Sequence, residues 1–157
     1  MFNQGGGSIV RRKIAAACLL PLLAAGPAGA GDAIGLVKTL SGSATVTRAG
    51  ASQPLAAGND VFQDDVLATG ANASLGITFR DDTTLSMGPN GRMALDEFAF
   101  DPAREDVKMG LRLLKGTFAM VSGQTAKLAP ENVRVQTPVM VIGIRGTSFL
   151  VEVTGDE

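Results

Sequence analysis

At 157 residues with 14 basic and 15 acidic side chains, the chain carries a formal charge of −1 and no basic cluster suited to a nucleic-acid backbone. It contains no histidine, tryptophan or tyrosine and one cysteine. These absences exclude His-based triads and the usual zinc shells, and remove the flat, polar-edged rings on which sugar platforms are generally built.

Residues 1–30 have the three-part layout of a secretory signal. Basic Arg11-Arg12-Lys13 precedes an apolar stretch from Ile14 to about Ala25, and Ala28-Gly29-Ala30 places small residues where signal peptidase requires them. Cleavage is predicted between Ala30 and Gly31. The apolar stretch is shorter than the roughly 20 residues that span a bilayer and is interrupted by Pro21, so membrane contact is expected only transiently, during export. Cys18 follows Ala15-Ala16-Ala17, but almost no hydrophobic stretch separates it from Lys13, which argues against lipidation. The leader holds three basic residues and no acidic one, so residues 31–157 carry 11 basic against 15 acidic side chains, a formal charge of −4. These 127 residues suffice for one domain with its own core and are too few for two. The cysteine leaves with the leader, so stability must come from packing and strand pairing without an intrachain disulfide.

Beyond residue 30, short apolar or alternating runs recur between Gly, Asp and Asn punctuation, the pattern of successive strands. Ile34–Leu40 and Ala44–Arg48 come first, with a hairpin turn at Ala49-Gly50-Ala51-Ser52. Gly58-Asn59-Asp60 turns the chain into Val61-Phe62, then Asp64–Ala68 and Ala73–Phe79 are separated by Thr69-Gly70-Ala71-Asn72. In the second of these, period-two alternation puts Leu75, Ile77 and Phe79 on one buried face. Arg80-Asp81-Asp82-Thr83 reads as a polar, solvated turn before Thr84–Met87, and Gly88-Pro89-Asn90-Gly91 is the strongest turn signal of the chain. Met93–Phe100 and Leu111–Val121 are further strands, with Gly116 marking a bulge or sharp bend in the latter. Residues 104–109 read as a charged connection or short strand, and Gln124–Leu128 as a brief helix stopped by Pro130. The phenylalanines after the leader, Phe62, Phe79, Phe98, Phe100, Phe118 and Phe149, fall in strand patterns and are expected in the core.

So many strands joined by tight turns predict a single all-β domain, a β-sandwich or β-roll of many short strands. A short β-helix is the alternative, since the Gly-rich turns also suit stacked coils, although no exact internal repeat supports it.

The segment Val133–Val151 joins β-branched residues to Gly143, Arg145 and Gly146, which reads as consecutive strands with a cation held at a tight bend. Arg145 among Val, Ile and Phe needs a partner, and the expected one is Asp60, Asp64 or Asp65, pinning a strand crossing. The competing reading has its guanidinium fork presented to a carboxylate ligand. Asp81-Asp82 with Asn90, and Asp64-Asp65, offer oxygen atoms to a cation, but their spacing fits no standard calcium loop, so no metal is assigned. The carboxylate pairs Asp81/Asp82 and Asp96/Glu97 lie in turns or on alternating strand faces, so no catalytic residue and no cofactor is assigned either.

Taken together, the ordered motifs resemble the FecR domain, the periplasmic sensory module first known from the regulator of ferric-citrate uptake. The resemblance runs from about Ile34 to Val153. It rests on Gly58-Asn59-Asp60 followed by Asp64-Asp65-Val66-Leu67-Ala68-Thr69-Gly70, on Leu75 to Leu85 with Arg80-Asp81-Asp82-Thr83, on Gly88-Pro89-Asn90, on Leu114-Lys115-Gly116-Thr117-Phe118, and on Val135-Gln136-Thr137-Pro138 continued by Ile144-Arg145-Gly146-Thr147-Ser148-Phe149. Its motif residues here are Asp65, Asp82, Thr137, Pro138, Gly143, Arg145, Gly146 and Thr147, all expected to be structural. The resemblance implies a β-rich, non-enzymatic domain, periplasmic or secreted, that works through contacts with another envelope protein. Membrane-bound regulators of this kind carry a cytoplasmic helical region ahead of their hydrophobic segment. This chain has none, and its own segment reads as cleavable, which argues against direct sigma-factor control. It stops soon after the Arg-Gly-Thr strand, where relatives usually continue, so either the domain is minimal or the reading frame is truncated, and the last strands are expected to have an unpaired edge.

The expected function is therefore binding through a strand edge or an exposed loop. The alternatives are a small-ligand or glycan sensor using Arg145 or the Asp81-Asp82 turn, and a structural fragment of a larger surface assembly.

Overall fold

The computed structural model describes residues 31–145 and 148–155. The expected leader and its cleavage site lie outside the described residues, as do Gly146 and Thr147. The described chain is all-β, as the alternation predicts, with twelve strands, one short α-helix and two single-turn 3-10 helices, Pro102–Arg104 and Pro130–Asn132. In chain order the strands and the α-helix are β1 (Gly35–Ser41), β2 (Ala44–Arg48), β3 (Ala51–Pro54), β4 (Asp60–Val61), β5 (Val66–Thr69), β6 (Ser74–Phe79), β7 (Thr84–Met87), β8 (Arg92–Asp101), β9 (Asp106–Val121), α1 (Thr125–Leu128), β10 (Val133–Gln136), β11 (Val141–Gly143) and β12 (Ser148–Val153).

Two sheets share β9. In the first, its C-terminal half pairs with β12 on one side and β7 on the other, and the order continues through β6 and β1 to β4. In the second, its N-terminal half pairs with β8 and β10, extending through β5, β2 and β3 on one side and to β11 on the other. One core cluster unites both sheets, with Leu75, Ile77, Leu85, Met87, Phe118 and Met120 from the first and Leu67, Met93, Leu95, Leu111 and Leu113 from the second. Phe79 of β6 stacks on Phe98 of β8 across the interior, with ring centroids 5.7 Å apart. The β-helix alternative is thereby corrected. Tight turns make neighbouring strands antiparallel, and the one parallel pairing among the described residues, β10 with β9, is made possible by the crossover through α1.

The alternation of β9 explains how one strand serves two sheets. Val107, Met109, Leu111 and Leu113 face the core at odd positions, whereas Phe118 and Met120 do so at even ones. The parity changes at Gly116, whose φ of 105° belongs to glycine's range and whose missing side chain lets the chain pass 2.6 Å from the Gly91 Cα where a Cβ would stand. This is the bend expected from sequence, and it turns the strand from one sheet into the other. A second bulge, between Leu95 and Glu97, shifts β8 from burying Met93 and Leu95 to burying Phe98.

Three local expectations change. Residues 106–109 belong to the long strand β9 because Val107 and Met109 point inward while Asp106 and Lys108 stay on the solvent side, with Lys108 bridging Glu97 at 3.2 Å and Asp106 at 3.6 Å. The turn at 49–52 is tighter, two residues with positive φ (Ala49 and Gly50), and Ala51–Pro54 continues as a fully exposed edge strand. Finally, Phe79, Phe98 and Phe118 are buried, but Phe62, Phe100 and Phe149 are only half-buried.

Candidate functional site

Two of the acidic motifs turn out to be internal fasteners. Asp65 is completely buried and grips Arg48 through two bonds of 2.7 Å, while accepting a third from the Phe62 N–H at 2.9 Å. The guanidinium lies 4.2 Å over the Phe62 ring, and its hydrogen bond to Asp65 raises the Arg48 pKa. Asp65 is thus the partner of Arg48, and the expected pairing with Arg145 is corrected. Arg48 reaches Asp65 from the neighbouring strand β2, which leaves the carboxylate no free oxygen for a third strand.

Asp81 is likewise completely buried, against the expectation of a solvated turn. Its carboxylate accepts from the Thr83 N–H (3.1 Å), the Thr83 hydroxyl (2.7 Å) and the Thr125 N–H (3.2 Å), and its carbonyl accepts from the Gln124 N–H at 2.7 Å. The Gly123 N–H donates to the Thr83 hydroxyl at 2.9 Å, so the start of the crossover is tied to the β6–β7 turn. Asp82 stays exposed with φ 65° and accepts from the Gln124 side chain at 2.8 Å. The burial and engagement of Asp81 leave this turn little to offer a ligand.

The open chemistry lies in the β10–β11 hairpin. The Thr137 N–H donates to the Met140 carbonyl at 2.8 Å, closing a loop of only Pro138 and Val139 between them. The Thr137 hydroxyl accepts from the Met140 N–H at 3.1 Å and from the Val139 N–H at 3.4 Å, and Pro138 presets its own φ. Thr137-Pro138 is therefore a brace for the turn. What it braces is apolar and faces water, with Val139 84% exposed, Met140 53% and Val141 66%. Nothing in the sequence separates these three from core residues. They share the apolar character of the buried Val133 and Val135, and only their place at the turn and outermost edge strand of the second sheet leaves them uncovered.

Arg145 follows on the same segment. It is exposed, lines an open groove of about 440 Å³ with Pro130, Glu131, Gly143 and Ile144, and has no ion pair or hydrogen bond among the described residues. A side chain added at Gly143 would meet nothing within 4 Å, so packing does not demand a glycine there. Ile144, between them, is buried and anchors the bend to the core. The hairpin thus presents a stiff apolar tip at its turn, and past the far end of β11 a cation with no partner among the described residues.

The other charged face is self-neutralised. On the outer side of the second sheet, Asp96 and Arg112 form two bonds of 2.6 and 2.7 Å, and Lys108 bridges Glu97 and Asp106. These contacts raise the pKa of Arg112, through Asp96, and of Lys108, chiefly through Glu97. A groove of about 330 Å³ runs alongside Asp96 and Glu97, floored by Gly110, where no cleft was expected.

The family model described as FecR protein matches residues 65–157, a span that starts at the buried Asp65 and contains the whole hairpin. A solved structure described as a cell surface anchoring domain is 33% identical over 40% of this chain and 83% of its own length, with a TM-score of 0.38. No curated protein matches. No helix among the described residues is long and apolar enough to cross a membrane.

Proposed function

Since this chain belongs to the FecR protein family, we propose that it is a non-enzymatic module of the bacterial cell envelope, exported by residues 1–30 and acting by binding another envelope protein through its β10–β11 hairpin. The observation that carries this reading is the braced apolar tip, Val139-Met140-Val141, standing in water, with Arg145, which has no partner among the described residues, past the opposite end of β11. A tip held by Thr137 and Pro138 loses little conformational freedom on docking, so its apolar area is available for affinity. Arg145 then adds orientation, its planar fork pairing with a carboxylate of the partner. The missing catalytic constellation fits a domain whose output is a contact.

The test is site-specific photo-crosslinking in the producing cell, with the reactive group at Val139 in one strain and at exposed Lys115 in another. A defined adduct from position 139, absent from position 115 and lost on Arg145→Ala, is the expected result. Equal adducts from both positions, or retention of the adduct in the Arg145→Ala protein, would overturn it.

A further inference from the structure

The outer face of the first sheet differs in kind from the rest of the surface. Its registered rows run Ser148, Val121, Thr84, Thr78, Leu36 and Leu150, Ala119, Ser86, Gly76, Thr39, across β12, β9, β7, β6 and β1. Neither row contains a charged residue until Asp60 on β4 ends the first, and the charges nearest them are Lys38, in the β1 bulge between the rows, and Glu152 on β12. The outer face of the second sheet, by contrast, carries Asp96, Arg112, Glu97, Lys108, Asp106 and Arg134. A water-facing sheet usually bears charge, and a face depleted of it has the composition of an interface core.

Among the described residues, the uncharged rows end at the edge strand β12, which pairs only with β9. Leu150, on that edge, is 74% exposed, and Val121 on the adjoining strand is 56% exposed. The other edges are guarded or small: β3 carries Pro54, which has no N–H to donate, β4 is two residues long and contains Asp60, and β11 is three residues long. β12 offers six residues with no proline and no lysine, and Glu152 is its only charge.

We propose that β12 pairs antiparallel with β12 of a second copy about a two-fold axis at Leu150, joining the two first sheets into one. The chemistry of the strand favours a copy of itself over another protein. With Leu150 facing Leu150, each Ser148 faces the Glu152 of the other copy, so no like charges meet although residues 31–157 carry a formal −4. A two-fold contact demands a patch complementary to itself, and an uncharged row ending in a leucine meets that demand. The contact uses the first sheet and its edge, so it stands apart from the hairpin reading.

The experiment is sedimentation velocity on the purified chain across the micromolar range, beside disulfide trapping in a Cys18→Ser background. The native chain should show a concentration-dependent doubling of mass that Leu150→Lys abolishes with the circular-dichroism spectrum unchanged. Directly opposed residues have Cα atoms about 4.5–5.5 Å apart, within reach of a disulfide. Leu150→Cys should therefore trap a covalent dimer at least tenfold faster than Thr39→Cys, which sits at the far end of the same row. A native chain that stays monomeric, a dimer that survives Leu150→Lys, or equal trapping at both positions would each overturn the proposal. Should Leu150→Lys fail to fold, the trapping ratio alone decides.

Discussion

Arg48 and Asp65, 17 positions apart, hold each other by two 2.7 Å bonds while the arginine side chain keeps 30% of its surface in water and the aspartate keeps none. The two ends of the pair therefore respond differently to loss of the other. Removing Arg48 strands a buried carboxylate, whereas removing Asp65 leaves a guanidinium that can turn toward solvent.

Arg48→Met is accordingly expected to cost about 3 kcal/mol, more than Asp65→Asn, and the double variant Arg48→Met/Asp65→Leu should recover part of the loss. Urea unfolding midpoints measure all three. The pH dependence has a definite sign. Because Asp65 raises the Arg48 pKa, the guanidinium contributes fully below its unfolded pKa and is lost only as pH rises through the higher folded value, in strong alkali. The gap between native and Arg48→Met should not be altered by Arg48 titration near neutral pH. A gap that closes there by arginine deprotonation would contradict the assignment.

Asp81 and Asp82, neighbours in sequence, should behave oppositely. Asp81→Ala removes the acceptor of three hydrogen bonds and leaves buried N–H groups of Thr83 and Thr125 unpaired, an expected loss of about 2–4 kcal/mol. Asp82→Gly removes one exposed contact and relieves a positive φ, so the change should stay within about 0.5 kcal/mol. Thermal melts of the two proteins distinguish them.

Gly116 and Gly143 form a similar contrast. Gly116→Ala puts a Cβ 2.6 Å from the Gly91 Cα at a φ of 105°, and at least about 2 kcal/mol of destabilisation is expected. Gly143→Ala enters open space and should leave stability within about 0.5 kcal/mol of native. If Gly143→Ala nevertheless weakens partner binding, the effect belongs to the contact surface and not to the fold.

Thr137→Ala should loosen the hairpin without unfolding the domain. It removes the hydroxyl that receives the Met140 N–H, so amide exchange at Met140 and Val139 should accelerate several-fold while the core amides of β6 keep native protection. Uniform acceleration across both regions would mean that the hairpin and core open together.

Much of this architecture was legible in the sequence, and for a common reason. Leu75, Ile77 and Phe79 announce a buried strand face by alternation, Gly116 announces the bend of β9, and Gly88-Pro89-Asn90-Gly91 announces a turn, each through the preferences of adjacent residues. Thr137 and Pro138, adjacent in the FecR-like motif, occupy the β10–β11 turn, where the Thr137 hydroxyl accepts from Met140 and Val139.

What the order of residues left undecided was the choice of partner. Asp65 could have met Arg145 or Arg48, Asp81 could have faced water or the Thr125 N–H 44 positions away, and Val139 could have packed like Val135. Strand and turn preferences act between neighbours along the chain, and composition alone sets what a surface cannot do. Ion pairing, burial and exposed edges depend on which remote segments collapse beside one another, so the tertiary structure alone gave Asp65 to Arg48 and left Arg145, Val139 and Leu150 facing outward.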